Sequence, residues 1–479
     1  MPNEILDKTP KPEENGFKKA VSAPENIVRT IGSGNPVHPV KSWTPLASAD
    51  ALARQTSNGV KKAGEYWHML GPGLTTGAAD DDPSGIATYS QTGARWGFSL
   101  LWLAAFSFPL MAVVQEMCAR IGLVTGRGLA GNIKRNYSKK VLYTVTALLF
   151  FANTFNIGAD LGAMSKAAQL LWPNFSFTVL IFFFTILSLT LQIFTGYKDY
   201  AKYLKWLALV LASYVLTAFF VHIKASDVLK FAFLPHLDFS KDQIFLICGI
   251  LGTTISPYLF FWQTSQEVEE EILAGKTSIQ KRQGVTDLEI KDMRVDIWSG
   301  MFFSNLAMFF IILVCAATLF NAGITNISTA AEAAAALRPL AGQYAFLLFA
   351  VGIIGVGLLG VPVLAGSASY ALSESFGWKQ GLYRKFKQAQ AFYGVIILSM
   401  VLGLVLNFVG LDPIKALIYS AVLNGIVAPV ILVLIVHMGD NKKIMGNRTN
   451  SAIISAVGWL TTIVMIVVGV ATIAALLIG

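Results

Sequence analysis

The stretch Gly71-Pro72-Gly73-Leu74-Thr75-Thr76-Gly77-Ala78-Ala79-Asp80-Asp81-Asp82-Pro83-Ser84-Gly85-Ile86-Ala87-Thr88 sets three carboxylates and a proline in the middle of an apolar run. Proline removes a backbone donor and clashes with the preceding turn, and Gly85 loosens the next turn of helix. Two readings are open: a surface loop joining two short helices, or one membrane span broken at mid-depth. A half-span of about 12 residues covers roughly 18 Å, too little to cross a bilayer alone. The choice depends on what surrounds it.

The surroundings are those of a membrane protein. Of 479 residues, 54% are hydrophobic and 14% charged, against roughly 25% charged in soluble proteins. That balance excludes an ordinary soluble enzyme and a disordered chain. A net charge of +9 raises the idea of a nucleic-acid binder. The positive residues, however, lie between apolar runs and form no patch. Cys118, Cys248 and Cys315 sit far apart inside apolar runs, with neither metal-ligand nor disulfide spacing. Residues 1–65 are rich in proline and charge and read as a mostly disordered tail, with one short helix around 47–62. A transmembrane domain is expected over 66–479.

Eleven stretches there approach the roughly 20 residues that cross a bilayer. They fall at 68–93, 97–122, 141–171, 177–195, 203–222, 244–265, 298–320, 343–371, 390–409, 416–437 and 453–478. With the N-terminus cytoplasmic, inner segments carry 30 Lys/Arg and the outer side 7. The positive-inside rule then leaves the C-terminus outside.

Span 6 repeats the anomaly of span 1: Gly249-Ile250-Leu251-Gly252-Thr253-Thr254-Ile255-Ser256-Pro257-Tyr258. In isolation this is equally well a harmless proline kink. Five spans after the first break, it marks an all-α transporter built from inverted repeats, spans 1–5 and 6–10. Broken helices expose backbone carbonyls that only a cavity or ligand can satisfy. The first half-helix directs its negative end at the break. With Asp82 added, the centre is oxygen-rich and negative. A mid-membrane carboxylate costs about 2.5–3.5 kcal/mol, which a bound cation offsets. The cargo is therefore a cation.

These residues resemble the NRAMP divalent-metal transporters, which carry an Asp-Pro-Gly-Asn motif in span 1 and Met-Pro-His in span 6. The pattern from Gly71 to Leu129 is similar to their first two spans. Asp82 and Pro83 match, and Gly85 stands at the motif's Asn. Pro257 matches, with Ser256 for Met and Tyr258 for His. The likeness runs over 66–437 in span order. The departures resemble the NRAMP-related magnesium transporters of bacteria, a branch without the sulfur ligand. The resemblance implies a leucine-transporter-like fold, alternating access, a plasma (inner) membrane location, and Mg²⁺ (also Mn²⁺) transport without proton coupling. Its alternative is a proton-coupled Mn²⁺/Fe²⁺ importer.

Ligand chemistry agrees. Thioether sulfur favours transition metals, whereas carboxylate, carbonyl and hydroxyl are hard. Magnesium keeps several waters and uses one or two carboxylates. Asp82, Ser256 and the space left by Gly85 suit a partly hydrated ion. The carbonyl of Thr253 occupies a position where the family uses a backbone oxygen. Asp80 and Asp81 are candidates for the outer hydration shell, or alternatively helix-capping carboxylates. Asp160 matches an acid of the family's proton route whose second acid is here Ala163. It is either a cation-attracting carboxylate or a structural hydrogen-bond partner. Tyr258 and Gln263 stand where the family has span-6 histidines. Asn424 in span 10 is a pathway candidate or interhelical glue. Glu116 and Arg120 read as an i,i+4 pair, and Gln266–Glu271 as a solvated helix end or a vestibule lining. His222 and His437 have no partner at ligand spacing. Neither H-E-x-x-H nor G-x-S-x-G occurs, so an intramembrane hydrolase is not expected. A sodium-coupled solute carrier would leave the break free for a substrate carboxylate. No cofactor, no nucleic acid and no obligate protein partner is expected. The partners are Mg²⁺, Mn²⁺ and the lipid bilayer.

Overall fold

The computed structural model describes residues 71–195, 212–221 and 223–477. The N-terminal tail and the short helix expected in it, the first residues of span 1, half of span 5 including His222, and the last two residues lie outside these. The described residues form helices: α1 (Pro72–Asp80), α2 (Pro83–Trp96), α3 (Trp102–Thr125), α4 (Leu129–Asn136), α5 (Lys139–Leu171), α6 (Phe177–Phe194), α7 (Ala212–Phe220) and α8 (Ala225–Phe233). Next in the chain are α9 (Lys241–Thr254), α10 (Pro257–Leu273), α11 (Ile279–Arg282), α12 (Asp287–Cys315), α13 (Ala330–Ala335), α14 (Arg338–Ala341) and α15 (Ala345–Phe376). The last are α16 (Gln390–Leu406), α17 (Pro413–Asp440), α18 (Lys442–Met445) and α19 (Ala452–Leu477).

Eight of the described helical stretches are long and apolar enough to cross a membrane. Span 1 appears as two short helices, α16 is a shorter apolar helix, and only α7 of span 5 is described. The total of eleven stays an expectation. Helix starts follow local chemistry. Ser138, Ser176 and Ser240 cap α5, α6 and α9, and prolines open α1, α2, α10 and α17 where the missing N–H is harmless. Span 7 begins at Asp287, eleven residues before the apolar run, because a Thr286–Glu289 capping box starts the helix in polar sequence. Hydropathy registers only the bilayer core.

Both breaks share one backbone form. Asp81 (φ −87, ψ 47) and the extended Asp82 (φ −65, ψ 173) precede Pro83, as Ile255 (φ −118, ψ 59) and Ser256 (φ −84, ψ 135) precede Pro257. Packing repeats as well. The second half of span 1 lies on span 7 (α2 on α12), as the second half of span 6 lies on span 2 (α10 on α3). Spans 3 and 8 (α5 and α15) pack on each other, as self-related elements of such a repeat would.

The α1–α12 contact needs small residues. A Cβ on Gly77 would lie 2.3 Å from the Gly300 carbonyl oxygen, and one on Gly73 2.7 Å from the Ile297 nitrogen. The Gly-x-x-x-Gly spacing thus lets two backbones meet. Asp296 of α12 closes the arrangement by accepting from Gly71 N–H (2.8 Å), Gly73 N–H (2.6 Å) and Leu74 N–H (3.1 Å). The carboxylate occupies the positive end of α1. On the periphery, α6 and α19 leave Phe183, Ile186, Val467 and Val470 exposed, the lipid-facing surface of a bilayer protein.

Candidate functional site

Asp82 is fully buried at the first break and is held from three elements. Its Oδ1 accepts from Gly85 N–H at 2.9 Å and the Ser84 hydroxyl at 2.6 Å, so it is also the N-cap of α2. Its Oδ2 accepts from Asn156 Nδ2 of α5 at 3.0 Å and lies 3.4 Å from the Tyr258 hydroxyl of α10. Asn156 is itself oriented by Ser420 of α17, whose hydroxyl donates to its Oδ1 at 2.8 Å. One carboxylate therefore joins spans 1, 3, 6 and 10. The capping role considered for Asp80 and Asp81 falls to Asp82.

Gly85 sits among oxygens. A Cβ there would lie 3.1 Å from Thr253 Oγ1 and 3.2 Å from the Asp80 carbonyl oxygen. Thr253 Oγ1 is buried without a protein partner. Opposite, Gly360 of α15 lets span 8 reach the break: a Cβ on it would stand 3.0 Å from Asp82 Cβ and 3.8 Å from Asp160 Oδ2. Asp160 is fully buried and neither of its oxygens has a hydrogen-bond partner.

Other expected residues are partly engaged. Ser256 turns its hydroxyl back onto the Gly252 and Thr253 carbonyls at 2.6 Å each, leaving oxygen lone pairs rather than a proton for a guest. The Tyr258 hydroxyl donates to the Ala79 carbonyl at 2.9 Å, so one carbonyl expected to be free at the end of α1 is taken. Asp80 Oδ2 accepts from Ser304 of α12 at 2.6 Å, while Asp80 Oδ1 and Asp81 Oδ1 are buried without a partner. Gln263 faces elsewhere, accepting from the Thr76 hydroxyl and donating to Glu267 at 2.8 Å. Asn424, one turn after Ser420, is buried with both amide atoms unpartnered, so it bonds no neighbouring helix.

Among the described residues, no three His, Cys, Asp or Glu side chains converge closely enough to hold a metal ion. Asp80 and Asp82 diverge, Asp80 toward span 7 and Asp82 toward spans 3 and 6. Electrostatics at the break are also more balanced than the end of α1 alone implies. The N-termini of α2 and α10 point there too, with their positive ends. Net negative charge comes from the carboxylates.

A family model described as natural resistance-associated macrophage protein-like matches residues 73–475. The chain belongs to the NRAMP family. Among solved structures, the Eremococcus coleocola manganese transporter, in complex with an aromatic bis-isothiourea substituted compound, is similar over 85% of this chain and 86% of its own. Identity is 16% and the TM-score 0.66. Inward-facing Mhp1 is similar over 85% of this chain and 89% of its own, at 14% identity and a TM-score of 0.51. Such low identities establish the fold, which is all-α and leucine-transporter-like.

Sequence reading missed Asn156, Ser420 and Gly360 in this NRAMP protein. Asn156 had a signal: it precedes Asp160 by four residues and so shares its helix face. Two other sequence readings meet the structure differently. Glu116 and Arg120 do pair, at 2.6 Å, and Arg294 (2.9 Å) and Trp298 (2.8 Å) join them. The solvated helix end expected at Gln266–Glu271 is overturned: Glu267, Glu269 and Glu271 are buried. Each has a donor, respectively Gln263, the Tyr370 hydroxyl with the Leu382 and Tyr383 N–H groups, and Lys276. Tertiary partners far along the chain make burial tolerable.

Proposed function

We propose that this NRAMP-family protein transports divalent cations across the plasma (inner) membrane by alternating access, with Mg²⁺ the preferred cargo and Mn²⁺ a second. The observation that carries the reading is the chemistry around Asp82. Its side-chain partners are hydroxyls and an amide, and Ser256 stands where a thioether would favour softer ions. In this reading Asp82 is the one charged ligand, and the Thr253 carbonyl and Ser256 hydroxyl oxygens are neutral ones. Gly85 leaves room for retained waters, and Asp80, Asp81, Asp160 and Asn424 line the approach. A single carboxylate with hydrated neighbours is how proteins hold Mg²⁺. The N-terminus is cytoplasmic and the C-terminus outside. No resident cofactor takes part.

Proton coupling is absent or loose. Tyr258 and Gln263 do not titrate near neutral pH, where unperturbed histidine does, and both are hydrogen-bonded. A membrane potential alone supplies about 2.3 kcal/mol per charge per 100 mV. The experiment is uptake into proteoliposomes with Mg²⁺-, Mn²⁺- and Ca²⁺-sensitive dyes, beside protein-free liposomes. A trapped pH dye is read at clamped potential. Mg²⁺ uptake above liposomes without matching acidification is the expected result. Acidification that scales with uptake returns the protein to the coupled Mn²⁺/Fe²⁺ reading.

A further inference from the structure

The ends of α3, α10 and α15 meet around a cleft of about 510 Å³, at the side of the molecule that the proposed orientation places in the cytoplasm. Five cationic side chains line it: Arg127 after α3, Lys134 on α4, Arg282 on α11, and Lys379 and Arg384 after α15. None of the five forms an ion pair among the described residues. The cleft also holds Glu269 and Glu374, and both carboxylates are satisfied by uncharged donors. Glu269 accepts from the Tyr370 hydroxyl (2.5 Å) and the Leu382 and Tyr383 N–H groups (2.8 and 3.2 Å). Glu374 accepts from the Gly128 and Gly131 N–H groups (2.9 and 2.7 Å) and from Gln380 (2.8 Å).

Arg282 and Arg384 differ from the usual inner-surface excess of lysine and arginine, which faces water or headgroups. Arg282 is buried, fixed by the Gly126 (3.0 Å), Lys276 (3.1 Å) and Thr277 (3.2 Å) carbonyls. Arg384 is half-buried, 4.8 Å above the Tyr383 ring. Lys134 and Lys379 are exposed and Arg127 is half-buried, and through space Glu374 acts on Arg127 and Glu271 and Glu269 act on Arg282, so the five cations are only partly neutralised by the protein. Here Glu269 and Glu374 spend their lone pairs on neutral donors. Guanidinium and ammonium groups gathered in a concave site match phosphate oxygens. A single orthophosphate would fill little of the volume, which lies in the range that holds nucleotide-sized ligands, roughly 300–1,000 Å³.

We propose that this cleft binds a polyanion carrying more than one phosphate, and that the bound anion slows transport. Its contacts come from the segments after spans 2, 6 and 8, so it ties together helix ends that must separate when one bundle rocks against the other. A ligand favouring the closed arrangement shifts the population toward it. The same phosphate chemistry is offered by a soluble nucleotide or pyrophosphate and by an anionic lipid headgroup.

The test uses the full-length protein in nanodiscs of uncharged lipid with divalent cations removed. This makes binding independent of which ion is carried. ADP, ATP, pyrophosphate and orthophosphate are titrated calorimetrically, and a parallel arm replaces part of the lipid with phosphatidylglycerol or cardiolipin. The variants are Arg127→Gln with Arg384→Gln, and, as a charge-matched control on the same side, Lys442→Gln with Lys443→Gln. A soluble polyphosphate or an anionic lipid binds, and the first pair weakens it at least about tenfold while the control pair leaves it unchanged. Pyrophosphate trapped inside proteoliposomes then slows uptake by wild type and not by the first pair. Lys379→Gln, an exposed position, carries the test if the double variant melts early. Three results overturn the proposal: no binding by any probe at about 1 mM, wild-type binding in the folded cleft variants, or equal weakening by the control pair.

Discussion

Gly360→Ala places one methyl group against the break without replacing any charged or polar side chain. The added Cβ would stand 3.0 Å from Asp82 Cβ, while ordinary contact begins near 3.4 Å. Asp82 cannot swing aside, because Ser84, Gly85 and Asn156 hold its carboxylate. The α15 and α2 backbones must therefore part by a few tenths of an ångström. Overpacking of this kind costs about 1–3 kcal/mol, and the better helix propensity of alanine returns about 0.5–1 kcal/mol. Net destabilisation of at most about 2.5 kcal/mol leaves a folded protein. The site is less forgiving, since Mg²⁺ ligands sit at about 2.0–2.1 Å in near-octahedral geometry. We expect Mg²⁺ affinity to fall at least about tenfold, or 1.4 kcal/mol, measured by dye uptake against concentration in proteoliposomes. Gly394→Ala is the control, because a Cβ there meets no atom within 4 Å. Uptake by Gly360→Ala within twofold of Gly394→Ala would refute the reasoning.

Asn156→Leu removes the amide that positions Asp82 and should weaken Mg²⁺ binding by about 10–100-fold, the usual effect of losing an orienting partner. Ser420→Ala should act in the same direction but less, and calorimetry with Mg²⁺ reads both. Wild-type affinity in Asn156→Leu removes Asn156 from the site. Ser256→Met exchanges a hard oxygen for a soft sulfur and should turn competition uptake toward Cd²⁺ and Mn²⁺. An unchanged Mg²⁺/Cd²⁺ preference places Ser256 away from the ion. Gly85→Ala pushes a methyl group to 3.1 Å from Thr253 Oγ1 and 3.2 Å from the Asp80 carbonyl oxygen. It should reduce Mg²⁺ uptake several-fold at unchanged melting temperature, and full uptake shows that this space is not used.

The breaks were legible because proline chemistry is local: Pro83 and Pro257 interrupt apolar runs whatever packs around them. The Glu116–Arg120 pair was legible for the same reason, since i,i+4 geometry is fixed by the helix. What escaped were relations across distant spans. The choice of Asn156 as Asp82's partner joins positions 74 residues apart, and an amide in an apolar helix reads equally as glue. Gly360 looks like any glycine until α15 is laid against Asp82. The acidic run after span 6 looked solvated because charge normally is. Its burial depends on Tyr370, on the backbone at Leu382 and Tyr383, and on Lys276. Likewise Asp296, at the edge of span 7, reveals its role only against the N–H groups of Gly71, Gly73 and Leu74.

The central claim is that the Asp82 carboxylate is the charged ligand of the transported cation. Asp82→Asn tests it with the least disturbance, because the side-chain shape and the cap on Gly85 are kept while the charge is removed. Mg²⁺ binding by calorimetry on the purified variant, paired with its melting temperature, is the measurement. The account predicts a protein that melts near wild type and shows no Mg²⁺ heat and no uptake above protein-free liposomes. Mg²⁺ affinity and uptake within twofold of wild type would contradict it.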